Sequence, residues 1–307
     1  MKPRKIILIV ADLILLIVGI IQIIVAARST VKTFAFSEQP DKIVIEKSDE
    51  NLTVVKEGDK WFINSEKYEA TQSSIDSMID FAQDIKALDR VASLSNASAL
   101  SKYEFDEANA IKVTMFAGDK ELRTFTLGKD APTGIQCYAT VNGSNDIYLV
   151  EGDYRNIYDK TSDELRTKTV YSVDSLDISS VSITPAGQSI WTVSRHGEAE
   201  DLVWSITGAD ITLDAAKAGE WLNSFNSLST TQWHGSKDDL NGQPYVDVEI
   251  GVTGKTIKLN TYIVPANPEI QGSTDLYYAK CSESPYYFEI PGYNMAKYQK
   301  TPEDLQK

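Results

Sequence analysis

Two histidines, two cysteines and one Gly-Lys-Thr triplet carry most of the chemistry this chain could perform. Gly254-Lys255-Thr256 ends like a phosphate-binding loop. That loop needs a glycine five residues before Gly254, and Glu249 stands there. A hairpin turn is the expectation instead. His196 lies in "SRHGEAE", which reads as a turn, and His234 in "TQWHGS", which reads as a loop after a helix. Neither has a second His or a Cys at metal-ligand spacing, and no GxSxG or HExxH occurs. Cys137 and Cys281 form no CxxC. They are two buried or free thiols, or a pair between the two halves if the chain lies outside the cytoplasm. Carboxylates are plentiful but fall in turns and on polar helix faces, where water solvates them. No catalytic residue, cofactor site or metal ligand set emerges, and the expectation is that the protein is not an enzyme.

Ligand contact has a better case in the aromatics near the C-terminus. Tyr277, Tyr278, Tyr286, Tyr287, Phe288 and Tyr293 crowd the final strands, and flat rings can stack on sugars. Alternation puts Tyr286 and Phe288 on one face and Tyr287 on the other, as in a two-sided sheet, and Tyr is common in strands.

A second polar pattern lies in the first thirty residues. Ile6 to Ala27 carries one charge over 22 residues, enough to cross a core of ~30 Å at ~1.5 Å per residue. This stretch is longer than the apolar run of a signal peptide, so it reads as an uncleaved anchor. Lys2, Arg4 and Lys5 precede it, against Arg28 and Lys32 after it, which favours a cytoplasmic N-terminus. Within the span, Asp12, Gly19, Gln22 and Ala26 fall within about 80° of one another on the helix. Small residues admit a second helix closely, and a buried polar group prefers protein to lipid. This stripe is the expected contact with a partner's membrane helix. Asp12 alone could also reach the cytoplasmic headgroups.

The elements that hold these residues are written twice. "YATVNGSNDIYLVEGDYRNIYDKTSDEL", from 138, aligns without a gap on "YAKCSESPYYFEIPGYNMAKYQKTPEDL", from 278, at an offset of 140. Upstream, at offset 143, Ile75, Met78, Ile79, Ala82 and Ile85 match Ala218, Trp221, Leu222, Phe225 and Leu228, each set one face of a helix. Thr71 and Asp214 stand at the expected N-caps, and Trp61 matches Trp204. Paired strands follow in both copies, the first turning at Gly118-Asp119. The expected fold is α+β: a transmembrane helix, then two tandem repeats, each a mostly antiparallel sheet with one main packed helix. The divisions are residues 1–32, 33–170 and 171–307. What recurs is chiefly Tyr, Ala, Gly, Leu and the apolar helix face, so the repeat carries shape.

Charge narrows the partners. Of 30 Lys+Arg and 44 Asp+Glu, five basic residues and one acid lie in residues 1–32, leaving 25 against 43, a net charge of −18. Such a body repels nucleic acid and anionic headgroups. The order "DKIVIEKSDENLTVVKEGDKWFI", a helix, "LDRVAS", "LSKYEFDEANAIKVTMF", "YATVNGSNDIYLV", "LRTKTVYSVDSLDISSVSI" resembles the bacterial domain-of-unknown-function 4340 family over most of the chain after the anchor. Where that family commonly has Tyr-Gly-Leu and then Pro, this chain has Tyr103-Glu104-Phe105 and Asn109. The resemblance implies an N-terminal membrane segment, frequent encoding beside the ATPase and permease of ABC transporters, including the gliding-motility type, and no catalytic residues. The joint expectation is a single-pass cell-membrane protein with its bulk extracytoplasmic, an accessory or substrate-contacting subunit of an envelope ABC transport system. A free-standing envelope adhesin or glycan-binding module is the other reading.

Overall fold

Strand alternation decides the architecture. The computed structural model describes residues 14–20, 31–197, 202–235 and 242–307. It is mostly antiparallel sheet with a few helices, and the chain divides into two units, Met1–Arg166 and Thr167–Lys307.

Unit 1 contains the helical residues 14–20 (α1) and then β1 (Lys32–Ala35), β2 (Lys42–Glu46), β3 (Leu52–Glu57), β4 (Lys60–Ile63) and β5 (Tyr68–Glu69). Helix α2 (Gln72–Gln83) leads into β6 (Asp84–Ser93) and α3 (Ala97–Tyr103). Next come β7 (Ile111–Ala117), β8 (Lys120–Asp130), β9 (Gln136–Val141), β10 (Asp146–Glu151), α4 (Tyr154–Tyr158) and α5 (Ser162–Leu165). One ten-stranded sheet runs β1-β6-β10-β9-β8-β7-β2-β3-β4-β5. Every second residue of its central strands points to one face: Ile43 and Ile45, Val113 and Met115, Phe125 and Leu127, Cys137 and Ala139. Helix α2 lays Ile75, Met78, Ile79 and Ala82 on that face, at the spacing that makes one stripe of a helix. Ile75, Met78 and Ile79 each contribute about 1.5–3 kcal/mol on burial. The expected helix face continued to Ile85, but α2 stops at Gln83 and Ile85 is buried from β6. Both periodicities place position 85 inward, so the pattern alone does not mark where helix becomes strand.

Unit 2 contains β11 (Thr169–Ser172), β12 (Ile178–Pro185), β13 (Trp191–His196), β14 (Val203–Thr207), α6 (Ala215–Asn223), β15 (Ser227–Ser229) and β16 (Trp233–His234). It closes with β17 (Gln243–Val252), β18 (Lys255–Val264), β19 (Leu276–Cys281), β20 (Tyr287–Ile290) and two 3-10 turns, Gly292–Lys297 and Pro302–Leu305. Eight strands run β14-β13-β12-β17-β18-β19-β20-β16, and β11 pairs with β15. Asp214 caps α6 by accepting from the Ala216 and Lys217 amides (2.9 and 3.1 Å). Ala218, Trp221 and Leu222 of that helix share one buried core with Val181, Val193, Ile250, Leu259 and Phe288, and Trp191 stacks on Trp221 with centroids 5.0 Å apart. Phe225 and Leu228, expected on the helix face, are buried beyond its end, Leu228 from β15. Trp61 is buried in unit 1, whereas Trp204 is half-buried on β14, the edge strand of its sheet.

Cys137 and Cys281 are free thiols, each buried in the core of its own unit. Gly254 lies in the tight turn joining β17 to β18 at φ +82°, so the Gly-Lys-Thr triplet is a hairpin. Among the described residues no helix is long and apolar enough to cross a membrane. Gly19 lies in α1 with open space around the position of a Cβ. Asp12, Gln22 and Ala26 lie outside the described residues.

Candidate binding face

Each sheet has a core face beneath its main helix and a back face on the other side. In unit 1 the back face is covered. Between β6 and β7, residues 94–110 carry α3, capped by the Asn96 side chain on the Ser98 amide (3.1 Å). Ala99, Tyr103 and Phe105 form a second small core there with Ile147, flanked by Val91, Ala92, Leu94 and Tyr138. Tyr103 meets Tyr138 edge-on at 4.6 Å. Gly128 makes the approach possible: a Cβ there would sit 2.2 Å from the Tyr103 carbonyl oxygen and 2.6 Å from the Phe105 ring. Glu104 ends α3 in the left-handed region (φ +59°), donating its N–H to the Leu100 and Ser101 carbonyls. A glycine suits this conformation best.

Unit 2 builds its back face differently. Only residues 235–242 link β16 to β17, and 236–241 of these lie outside the described residues. Tyr262 on β18 stands opposite Tyr278 on β19, and Tyr278 opposite Glu289 on β20. The neighbouring row runs Asp247, Asn260, Lys280, Tyr287, His234 across five strands. At ~4.8 Å per strand, that row spans ~19 Å. The His234 imidazole lies 3.1 Å from the Glu289 carboxylate and edge-on to the Tyr278 ring at 5.2 Å. Asn260 donates to Asp247 (2.8 Å), Lys280 lies 4.9 Å from the Tyr287 centroid, and the Tyr262 and Tyr287 centroids are 6.2 Å apart. Burial, then the nearby Glu289, pushes the Tyr278 phenol up; burial and then Tyr287 do the same for Tyr262. Both phenols therefore stay protonated and able to donate.

His234 is on an edge strand rather than in the loop its sequence suggests. Its neighbour Thr230 causes this. The Thr230 hydroxyl lies 2.8 Å from the Gln232 and Glu289 carbonyl oxygens and accepts the Gln232 N–H. That knot separates β15 from β16 and turns His234 to the back face while Trp233 packs on Phe288. His196, expected in a turn, ends β13 and reaches Ser205 (3.3 Å) on β14. Of the aromatics that the sequence singles out, Tyr278 and Tyr287 reach the back face. Phe288 is buried in the core, Tyr277 packs against it, and Tyr293 is exposed on a turn. Tyr262 and Glu289 escape a reading based on residue type. The length difference between the two connections, 94–110 against 235–242, is the signal that could have found this face.

A groove also lies beside each main helix. Ser74, Ser77, Asn156, Ile157, Lys160 and Glu164 line one of about 470 Å³ in unit 1. Lys217, Glu220, Ala296, Lys297, Lys300 and Asp304 line one of about 390 Å³ in unit 2. Burial pushes the Lys297 amine down to about 8, and it donates to the Ser224 carbonyl (2.7 Å) over Phe225. That bond and contact occupy the amine structurally. Among the described residues no group of three or more His, Cys, Asp or Glu is placed to hold a metal ion. The back face of unit 2 offers rings, paired hydrogen-bonding groups and balanced charge, which together suit binding.

A family model described as Domain of unknown function (DUF4340) matches residues 61–245, more than half of the chain. The chain belongs to the DUF4340 family. No curated protein matches it, and no solved structure does. The DUF4340 match runs from β4 through the covered back face of unit 1 and on to β17. It includes Gly128, α3 and His234, and it ends before Tyr262, Tyr278, Tyr287 and Glu289.

Proposed function

We propose that this DUF4340 protein is a non-enzymatic, membrane-anchored, extracytoplasmic subunit of an envelope ABC transport system, contacting a substrate or partner through the back face of unit 2. The observation that carries the reading is the contrast of back faces: one is closed by its own helix, the other holds the half-buried rings of Tyr262 and Tyr287 beside the buried Tyr278, between polar pairs. The apolar run 6–27 supplies the anchor, and the family resemblance supplies the transporter.

Two tandem repeats underlie this arrangement. Matched hydrogen bonds support them: Thr71 N–H donates to Leu165 O (2.7 Å) in unit 1 and Asp214 N–H to Leu305 O (2.9 Å) in unit 2. Bridges pair Ala70 with Arg166 and Leu213 with Gln306. These pairs keep the offsets of 143 and 140 that the sequence alignment has. The order β10-β9-β8-β7-β2-β3-β4 of one sheet is met by β20-β19-β18-β17-β12-β13-β14 in the other.

Topology is the first test. Leu176 is 80% exposed, and both native thiols are buried. Leu176→Cys should react with an impermeant maleimide in intact spheroplasts; labelling only after lysis would sink the extracytoplasmic assignment. The stripe Asp12, Gly19, Gln22 and Ala26 gives the second test. Asp12→Leu and Gly19→Leu should each weaken co-purification with the permease, and Leu15→Ala should not. A polyleucine anchor that retains assembly and transport would leave the stripe without a role. The aromatic face also favours the reading of a free-standing glycan-binding module, which predicts binding with no permease in the purified complex.

A further inference from the structure

We infer that the back face of unit 2 binds a neutral glycan chain. The inference rests on the reading of that face as a contact surface, and it adds the ligand's chemistry.

Three observations select this occupant over a partner helix or a polyion. First, the apolar surface of the face is aromatic. Tyr262 and Tyr287 present half-buried rings beside the buried Tyr278, whereas the unit 1 face that accepts a helix offers one ring, Tyr138, among Ile147, Val91, Ala92 and Leu94. Aliphatic side chains interdigitate with a helix; flat rings suit the flat C–H faces of pyranose sugars. Second, Tyr262 and Gly128 hold matching strand positions, each one residue after the partner of an alanine, Ala279 and Ala139. Gly128 leaves room for a helix backbone. A tyrosine ring in that place fills the room and keeps a helix out. Third, charge on the face is nearly balanced within an acidic body. Lys258 pairs with Glu249 (2.8 Å), His234 meets Glu289, and Lys280 lies over Tyr287 beside Asn260 and Asp247. A polyanion meets carboxylates here and a polycation meets lysines. A polyol finds paired donors and acceptors flanking each ring, the arrangement that satisfies hydroxyl groups.

The test uses the full-length chain in lipid nanodiscs, because sugar-headed detergents would compete. Hexa-N-acetylchitohexaose, cellohexaose and maltohexaose are titrated by calorimetry, beside polygalacturonate of matched length and a peptide of residues 94–110. At least one neutral hexasaccharide should bind with a Kd tighter than about 1 mM. Tyr287→Ala should weaken it about tenfold or more, a loss of about 1.4 kcal/mol. Asn260→Ala, at an exposed position, should weaken binding without touching the core. Tyr293→Ala, at an 80% exposed ring on a turn, should leave it unchanged. Absence of binding to all three neutral hexamers overturns the proposal, as does binding that survives both Tyr287→Ala and Asn260→Ala. Preference for the peptide assigns the face to a partner helix, and preference for polygalacturonate assigns it to a polyanion; either overturns the glycan. Co-purification with the permease is read separately, so the transport reading stands or falls without this result.

Discussion

In unit 1, Gly128, Tyr138 and Ile147 lie beneath α3 and the ring of Phe105; in unit 2, Tyr262, Tyr278 and Tyr287 hold the corresponding strand positions and meet His234 and Glu289. The strands are alike, and the difference comes from a connection: residues 94–110 in one unit, 235–242 in the other. A sheet has two faces to satisfy, and only one can pack on the main helix. Unit 1 satisfies the second face with a small helix whose Tyr103 and following Phe105 pack on Ile147 and Tyr138. Unit 2 satisfies it with amphipathic rings that tolerate water on one side and packing on the other. The comparison teaches that two sheets of matching strand order can carry different back faces.

The strongest way to break that comparison is Gly128→Leu. Its Cβ would meet the Tyr103 carbonyl at 2.2 Å, a backbone atom that cannot swing aside. Overpacking of this kind costs about 1–3 kcal/mol and should lower the urea midpoint of unit 1. An unchanged midpoint would mean that α3 does not need close contact. Next in size is a pair of tyrosines. The buried Tyr158 hydroxyl donates to the Met78 carbonyl, while the buried Tyr298 hydroxyl has no partner among the described residues. Tyr158→Phe should cost about 1 kcal/mol, and Tyr298→Phe should cost nothing or stabilise. Equal losses would show that the two cores are satisfied alike. Glu104→Gly should stabilise by about 0.5–1 kcal/mol, because glycine takes φ +59° without a Cβ penalty. A loss of stability on denaturation would refute the strain.

The smallest effect concerns acid. Amide donation from Lys217, then from Ala216, holds the Asp214 carboxyl below its usual value. A depressed folded pKa gives stability that is present above the usual carboxylate range and is lost as pH falls through the lowered value. Asp214→Asn keeps a cap but removes the titration, so the fall in unfolding midpoint below about pH 4 should flatten. Thr71, the N-cap of α2, makes no side-chain cap bond and gives unit 1 no matching slope at that position. An identical acid limb in wild type and Asp214→Asn would remove the cap as its source.

Much of the fold was legible because periodicity survives burial. Ile75, Met78, Ile79 and Ala82 announce a helix face, and Asp214 announces its start. Hairpins at Gly118 and Gly254 follow from turn chemistry. The candidate face was half legible: Tyr278 and Tyr287 stood out by type and spacing. Tyr262 did not, since its role comes from lying opposite Tyr278 across strands. His234 read as a loop residue because two-residue strands carry no period, and the Thr230 hydroxyl that sets its direction acts through carbonyl oxygens. Helix α3 was missed because seven residues with two buried positions leave almost no stripe.

Strand β1 begins at Lys32 and is hydrogen-bonded along β6 in the register Lys32 to Ala87 and Ala35 to Asp84. The proposed span ends at Ala27, five residues earlier. Even a straight chain covers only ~18 Å over five residues. If the proposed span is the anchor, unit 1 would be held within that distance of the bilayer surface. Tethering at this range raises the local concentration toward anything else seated in the same membrane and denies reach to a distant surface. Gripping another cell would need the opposite; the proposed work beside a permease would need a start to β1 as close to the span as this one.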